Sequence, residues 1–192
     1  MGGRRDGEAG RVTRLVALLV VVGVVAGAAA WIVHDEPAWY QRARYPLRYE
    51  QIVRGHARNY RLEPPLLAAV IYQESKFDAD AQSSSGAIGL MQLLPETAKG
   101  IAARTGGHRF VVSDLYVPEL NVRYGAWYLR HLLDKYGDEA TALAAYNAGQ
   151  ANVDSWRASG GGIRFAETRH YVRRVEELKV IYARAYADQL RA

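Results

Sequence analysis

From Leu15 to Val33 the chain carries no charged residue. As a helix rising about 1.5 Å per residue, this run would span roughly 28 Å, close to the thickness of a bilayer core. Arginines precede it, and Trp31 lies near its far end, where an interfacial aromatic residue is expected. A buried core helix normally has a polar face, and this run has none. The sequence therefore predicts a transmembrane helix over residues 15–33, after a basic cytoplasmic tail over residues 1–14.

A cleavable secretory signal peptide is the alternative interpretation of this run. The small residues at 26–30 would suit cleavage after a basic start and an apolar middle. The apolar run nevertheless continues through residues 31–33, so an uncleaved anchor is favoured. Arginines at 42, 44 and 48 weaken the charge asymmetry that sets orientation. Both interpretations place the remaining chain outside the cytoplasm, and the anchor makes it a single-pass protein of the cell membrane.

The composition excludes several classes of site and partner. The 192 residues include no cysteine, which rules out disulfides, a lipoprotein anchor, thiolate metal sites and cysteine nucleophiles. The net charge of +5 favours anionic surroundings, such as lipid head groups or cell-wall polymers. Because the basic residues are spread along the chain, no nucleic acid partner is predicted. Tyr (13) and Trp (4) outnumber Phe (3), and their flat faces and polar edges suit sugar rings, although helix packing is their commoner use.

Beyond the apolar run we expect a short tether over residues 34–47 and one folded domain over residues 48–192. In the domain, prolines and glycines separate a series of helical patterns. The predicted helices cover about residues 49–60, 63–77, 95–104, 118–137, 139–149 and 167–190. Alternating strand patterns are nearly absent, and an irregular glycine–serine segment covers residues 82–92. The predicted fold class is mostly α.

One carboxylate lies on the apolar face of the second predicted helix. Leu67, Val70, Ile71 and Glu74 follow one another at helical spacing. Burial there would disfavour the charged form of Glu74 and raise its pKa, and the nearby helix C-terminus acts in the same direction. A carboxylic acid protonated near neutral pH is what a general acid for glycosidic cleavage needs. A lone buried glutamate is more often a paired structural residue, so the assignment depends on its neighbours.

Four segments, in this order, resemble the soluble lytic transglycosylase family. They are YQESKF at residues 72–77, GAIGLMQLLPETA at 86–98, AYNAG at 145–149 and ETRHYV at 167–172. The resemblance covers about residues 49–187. It implies a lysozyme-like, mostly α catalytic domain of the SLT type that acts on the MurNAc–GlcNAc glycan of peptidoglycan without a cofactor or a metal.

The resemblance also implies roles for single residues. Glu74 matches the catalytic glutamate of the family, and Ser75 matches a companion serine that supports the local structure. Tyr171 matches a tyrosine whose hydroxyl orients the glutamate. Leu94 departs from the family, because many relatives carry methionine at that position, and this puts subsite detail in doubt.

Five further residues are expected to bind the substrate. Glycines that permit positive φ, together with serine hydroxyls and an amide, occupy residues 83–92. Tyr146 and Asn147 end a predicted helix, where a core residue and a cap would be the ordinary interpretation. The resemblance places the tyrosine–asparagine pair beside the glutamate. The expected substrate-binding residues are Ser83, Met91, Gln92, Tyr146 and Asn147, with Tyr171 beside them.

The implied reaction is a cleavage in which Glu74 acts first as acid and then as base and a 1,6-anhydro sugar forms. A muramidase that uses water, like goose-type lysozymes, and a non-catalytic wall-binding module are the alternatives. Ordinary glycosidases use two carboxylates, but Asp78 and Asp80 are expected to bond local backbone in a turn. Capping or dipole effects explain three acidic residues near helix starts, Asp114, Glu119 and Glu167. No partner spacing supports a metal site at His108 or His131.

Overall fold

The computed structural model describes residues 5–191, which fall into two compact units with a boundary between Arg44 and Tyr45. The first unit contains helix α1 at Arg5–Asp35 and helix α2 at Ala38–Arg44. Within α1, the stretch Arg14–Ile32 is long and apolar enough to cross a membrane, and none of it is buried. A signal sequence near the N-terminus has the same properties. The first four residues of the predicted basic tail, including Arg4, lie outside the described residues.

The segment expected to be a tether is largely helical. Helix α1 continues to Asp35, and α2 follows after a break of two residues. Tyr45 is already buried in the second unit, so the domain begins there and not at residue 48. Helix α2 was missed because a helix of 7 residues is too short for a helical spacing of apolar residues to become visible.

The second unit is helical, with only isolated bridges, Gln82 to Ile88 and Ile88 to Leu93, as extended pairing within the part of the chain described. Its helices are α3 at Glu50–Asn59, α4 at Pro64–Ser75, α5 at Pro95–Thr105, α6 at Pro118–Tyr136, α7 at Glu139–Ala148, α8 at Gln150–Ala158 and α9 at Ala166–Ala185, with a 3-10 helix at Val112–Tyr116 before α6. The predicted helices are confirmed, except that α9 ends before residue 190. Helix α8 was not predicted.

Helix α4 lies at the centre of this unit. Residues 66–71 are each at most 2% exposed, so the helix is covered on every side over that stretch. It packs mainly on α9, which contributes the fully buried Val175, Leu178 and Tyr182, and α3 packs beside it. Because α4 leaves the core only in its last turn, a polar residue there is surrounded by protein on several sides and still reaches the surface.

Candidate active site

Glu74 lies in this last turn of α4. Pro64 and Pro65 occupy the first turn of the helix, where proline is tolerated, and Lys76 ends it in the left-handed conformation, with φ at 53°. Leu67, Val70 and Ile71, the preceding residues on the same face, are fully buried. Glu74 itself keeps partial exposure. The helix therefore places the Glu74 carboxyl group at the edge of the apolar core, where it lines an open groove.

The environment of Glu74 favours its protonated form. Burial raises the pKa of Glu74 from its ordinary value of 4.5 to about 7, because the charged form loses contact with water. The Tyr171 hydroxyl donates a hydrogen bond of 2.6 Å to Glu74 Oε1, which favours the ionised form and partly opposes this rise. The raised pKa expected from the apolar face is confirmed, and burial is its main cause. Near neutral pH the side chain can thus give up a proton and take one back.

Two tyrosines with fixed hydroxyls flank the glutamate. Tyr171 on α9 is 5% exposed and points its hydroxyl at Glu74. Tyr146 on α7 donates its hydroxyl proton to the backbone oxygen of Met91 at 2.8 Å. Burial, and next the charge of Glu74, raises the pKa of both phenols well above the ordinary value. Both tyrosines therefore remain protonated, and each can act as a hydrogen-bond donor throughout the range in which Glu74 titrates.

The segment between α4 and α5 forms one wall of the groove. The Ser75 hydroxyl donates to the backbone oxygen of Leu90 at 2.8 Å, which ties the end of α4 to this segment. Ser83 Oγ accepts from the backbone N–H of Ala87 at 3.0 Å. The structural role expected for Ser75 is confirmed, and Ser83 stabilises its own turn while it faces the groove.

Gln92 both stabilises the segment and lines the groove. It has a φ of 46°, and its Nε2 donates to the backbone oxygens of Ala81 at 3.1 Å and Gly89 at 3.0 Å. Both amide protons are used within the segment, so Oε1 is the part of the side-chain amide left for a ligand. The side chain lines the groove beside Ser83 and Leu94.

Met91 does not lie where a substrate-binding side chain would. It is fully buried, and a Cβ added at Gly125 of α6 would collide with its sulfur atom. The expectation that its side chain contacts substrate is therefore corrected. The contribution of Met91 is its backbone, whose oxygen receives the Tyr146 hydroxyl and whose N–H donates to Asn121 Oδ1 at 2.8 Å.

Asn121 holds this wall in place, and sequence reasoning missed it. Its side chain is fully buried in α6 and donates to the backbone oxygens of Ile88 at 2.9 Å and Leu115 at 2.8 Å. With the bond from Met91, the amide group makes three hydrogen bonds, two to the segment between α4 and α5 and one to the 3-10 helix before α6. An asparagine on the apolar face of a helical pattern was the signal that could have revealed it.

The groove consists of two cavities that meet at Glu74. One has a volume of about 280 Å³ and the other about 290 Å³, and both are lined by Glu74, Asn147 and Glu167. Asn147 is exposed and lines both cavities, and its Oδ1 accepts from the Thr168 hydroxyl at 2.8 Å. The first cavity also contacts Gln73, His170 and Tyr171, and the second contacts Ser83, Ser85, Ala87, Gln92, Leu94 and Tyr146.

Glu167 lines both cavities of the groove, whereas the other acidic residues singled out from the sequence take structural positions. Asp78 Oδ1 accepts from the Asp80 N–H at 3.0 Å, which confirms the expected local turn. Asp114 accepts from the Val111 N–H at 3.0 Å, as a cap. Glu119 approaches His56 to 2.9 Å, whereas Glu167 is exposed in the first turn of α9. Within the described residues, no three His, Asp or Glu side chains come together to hold a metal ion.

A mostly α domain with one enclosed, hydrogen-bonded carboxylic acid in a polar groove is typical of lysozyme-like proteins. The family model for the transglycosylase SLT domain matches residues 51–167, and the chain belongs to this family.

Relatives and solved structures agree with this assignment. A putative soluble lytic murein transglycosylase of Haemophilus influenzae is 37% identical over 150 residues, which cover 72% of this chain and 25% of that protein. Membrane-bound lytic murein transglycosylase F of Desulfosudis oleivorans is 37% identical over 128 residues, covering 62% of this chain and 26% of that protein. The X-ray structure of an inactive glutamate-to-glutamine mutant of lytic transglycosylase Slt from Pseudomonas aeruginosa matches with a TM-score of 0.71 and 31% identity, covering 85% of this chain and 29% of that one.

These matches confirm the predicted fold, but they cover only part of each relative. The mostly α, lysozyme-like domain expected from the sequence is confirmed. The chain spans about a quarter of the length of the relatives it matches. Membrane-bound relatives and the apolar stretch of α1 together indicate membrane association.

Proposed function

We propose that this chain is a lytic murein transglycosylase that cleaves the β-1,4 bond between MurNAc and GlcNAc in peptidoglycan. The observation that carries the proposal is Glu74, a carboxylic acid whose pKa burial raises to about 7, at the point where two cavities meet. Membership of the SLT family and relatives named as murein transglycosylases support the substrate class. No cofactor takes part in this reaction.

Glu74 performs both proton transfers in the proposed reaction. Its carboxyl group first protonates the glycosidic oxygen, the C1–O bond of MurNAc breaks, and positive charge develops at C1. The carboxylate then removes the proton of the C6 hydroxyl while O6 forms a bond to C1. The products are a GlcNAc hydroxyl and a 1,6-anhydroMurNAc end, with no water consumed and Glu74 protonated again. A pKa near the working pH suits an acid that must also act as a base.

The neighbouring groups support this cycle in different ways. Tyr171 donates to Glu74 Oε1 and stabilises the carboxylate that exists between the two proton transfers. Tyr146 fixes the wall segment through the Met91 oxygen. We assign substrate contacts to the Ser83 hydroxyl, the Gln92 Oε1 and the Asn147 amide, because these groups line the same cavities as Glu74.

We further propose that α1 anchors the protein in the cytoplasmic membrane by a single pass, with the domain on the outer side. Its apolar stretch has the length of a full span, and the arginines Arg5, Arg11 and Arg14 precede it. The cell wall lies on that side, so the domain would reach its substrate while it remains attached.

Mass analysis of the products of digested sacculi tests the proposed function. The parent chain should release fragments with 1,6-anhydroMurNAc ends, and Glu74→Gln should release none while it keeps its fold. Glu176→Gln, at an exposed position on α9, is the matched control and should cleave like the parent. Reducing MurNAc ends would instead identify a hydrolytic muramidase. Equal turnover by Glu74→Gln would refute the catalytic role, and a parent that binds glycan without cleaving it would be a wall-binding module.

A further inference from the structure

A short surface segment before α6 exposes several apolar side chains. Val111, Val112, Tyr116 and Val117, in and beside the 3-10 helix, have exposed fractions of 56%, 37%, 37% and 50%. None of them lines the catalytic groove. Single exposed apolar residues are common, but a contiguous group with polar residues at its rim marks a contact site for a protein or a membrane. These four residues form the apolar patch.

Val117 occupies a position where the local structure favours a different residue. It is the N-cap of α6 and makes no side-chain hydrogen bond to the helix. Serine, threonine, asparagine or aspartate at an N-cap stabilises a helix by about 1 kcal/mol relative to an apolar residue. Because half of this valine is exposed, packing within the domain compensates for little of that cost. A valine at this position is expected if it makes a contact outside the domain.

The core beneath the apolar patch holds it in one shape. Leu115, inside the 3-10 helix, is fully buried, and its backbone oxygen accepts from the Asn121 amide at 2.8 Å. Asp114 accepts from the Val111 N–H at 3.0 Å and closes the start of the 3-10 helix. The patch is therefore preorganised, and contact with another surface would cost little conformational entropy.

A basic cavity of about 370 Å³ adjoins the apolar patch. Phe110, at the edge of the patch, lines it together with His108, Arg109 and Arg123. Both arginines are exposed, and Arg123 lies over the Tyr124 ring at 5.4 Å. Over residues 5–191, neither guanidinium group forms an ion pair. Both groups are thus available to phosphate, which a guanidinium binds through two parallel hydrogen bonds.

The acidic residues beside the patch already have partners within the domain. Asp114 also lines the cavity, but its carboxylate caps the 3-10 helix. Glu119 lies 2.9 Å from His56 Nε2. The two guanidinium groups therefore keep their charge for an external anion. Exposed apolar side chains next to such cations match the headgroup region of an anionic bilayer.

We propose that the apolar patch and the basic cavity dock the domain on the surface of an anionic phospholipid bilayer. The apolar side chains lie between the headgroups, and Arg109 and Arg123 bind lipid phosphates. A bilayer is the partner that the chain itself brings near, because α1 has an apolar stretch long enough to cross a membrane. Attachment raises the effective concentration of headgroups, so a contact that is weak by itself becomes populated. If the proposed function holds, docking confines cleavage to glycan strands next to the membrane.

The test follows the environment of single positions in the full chain. The sequence contains no cysteine, so one introduced cysteine carries a unique environment-sensitive fluorophore. Val111→Cys and Val117→Cys place the fluorophore on the patch, with one chain per lipid nanodisc of phosphatidylcholine alone or mixed with phosphatidylglycerol. Val180→Cys, on α9 and 48% exposed, is the matched control. With phosphatidylglycerol, emission at 111 and 117 should move to shorter wavelength and be quenched by brominated acyl chains, and the label at 180 should show neither effect.

Neutralising the two arginines tests the charge. One arginine near an anionic membrane contributes about a fivefold factor to binding, so Arg109→Gln with Arg123→Gln should lower the ratio of docked to undocked domain about 25-fold. Arg173→Gln with Arg184→Gln, at exposed positions on α9, is the charge-matched control and should leave this ratio near that of the parent. Circular dichroism and Tm equal to those of the parent show that each double variant folds.

Two results would overturn the docking proposal. One is quenching at positions 111 and 117 that is no stronger than at 180, which would leave the patch to a protein partner. The other is lipid quenching that is equally strong on neutral lipid or that Arg109→Gln with Arg123→Gln leaves unchanged. Failure of the proposed function has a different signature, because a parent chain that leaves glycan uncut would refute the reaction while the quenching at the patch persisted.

Discussion

Replacing Glu74 by glutamine should change how folding stability depends on pH, by an amount that follows from one pKa. Burial raises this pKa from 4.5 to about 7. The difference, 7 − 4.5, is about 2.5 pH units, and at about 1.36 kcal/mol per unit it corresponds to about 3 kcal/mol. The carboxyl group is well enclosed by protein, so solvent screening does not reduce this value much.

The direction of the effect follows from which state holds the proton. Below pH 4.5 the carboxyl group is protonated in the folded and the unfolded chain, and its stabilising contribution is fully present. As the pH rises toward about 7, the unfolded chain ionises freely while the folded chain keeps its proton, so folding loses stability. Above that pH the loss is complete. Glutamine does not titrate, so the variant escapes this loss.

Urea unfolding followed by circular dichroism measures the effect in a soluble form that starts near Trp39. Between about pH 4 and about pH 8 the free energy of unfolding of Glu74→Gln should rise by about 3 kcal/mol relative to the parent. Glu176→Gln, on the exposed face of α9, is the control and should follow the parent at every pH. A difference between Glu74→Gln and the parent that stays constant over this range would refute the claim that burial keeps Glu74 protonated.

Three further predictions concern the groups around the acid. Tyr171→Phe removes the hydrogen bond that favours the ionised form of Glu74, so kcat should fall more than KM rises. The pKa of Glu74 should rise, and the alkaline limb of the pH–rate profile should therefore move to higher pH. An unchanged limb would contradict this. Asn121→Ala removes three hydrogen bonds to backbone groups and should lower the free energy of unfolding by about 3 kcal/mol in urea titrations. Stability near that of the parent would show that water replaces the amide. Gly89→Ala places a Cβ against Asn121, at a residue whose φ of 79° disfavours a side chain, and should lower Tm in thermal scans. An unchanged Tm would show that the segment between α4 and α5 adjusts to the added methyl group.

The helical framework and the position of the enclosed carboxylic acid were predictable because both depend on local spacing. Leu67, Val70 and Ile71 mark one face of α4, and this face places Glu74 at the edge of the core. Prolines at the starts of α4, α5 and α6 mark those boundaries through their effect on the backbone. The resemblance added the tyrosine of α9, and the structure shows its hydroxyl on Glu74.

Features that depend on tertiary contacts were not predictable in this way. Gly149, with φ at 84°, ends α7 and starts α8 at once, so a glycine that was interpreted as a helix stop concealed a second helix start. The role of Asn121 requires the segment at Ile88 and Met91 and the backbone at Leu115 to converge on one amide. The burial of Met91 was missed because it depends on the space that Gly125 of α6 leaves by having no side chain.

The bond between Tyr171 and Glu74 joins residues 97 positions apart, on the helices α4 and α9. A chain synthesised from its N-terminus exposes α4 long before α9 is complete, and in that interval Glu74 is an ordinary hydrated carboxylate, ionised at neutral pH. Its proton affinity rises only when the last helix docks and closes off the solvent. A nascent or misfolded copy therefore has no proton to deliver at neutral pH, and the proposed cleavage requires the fully assembled domain.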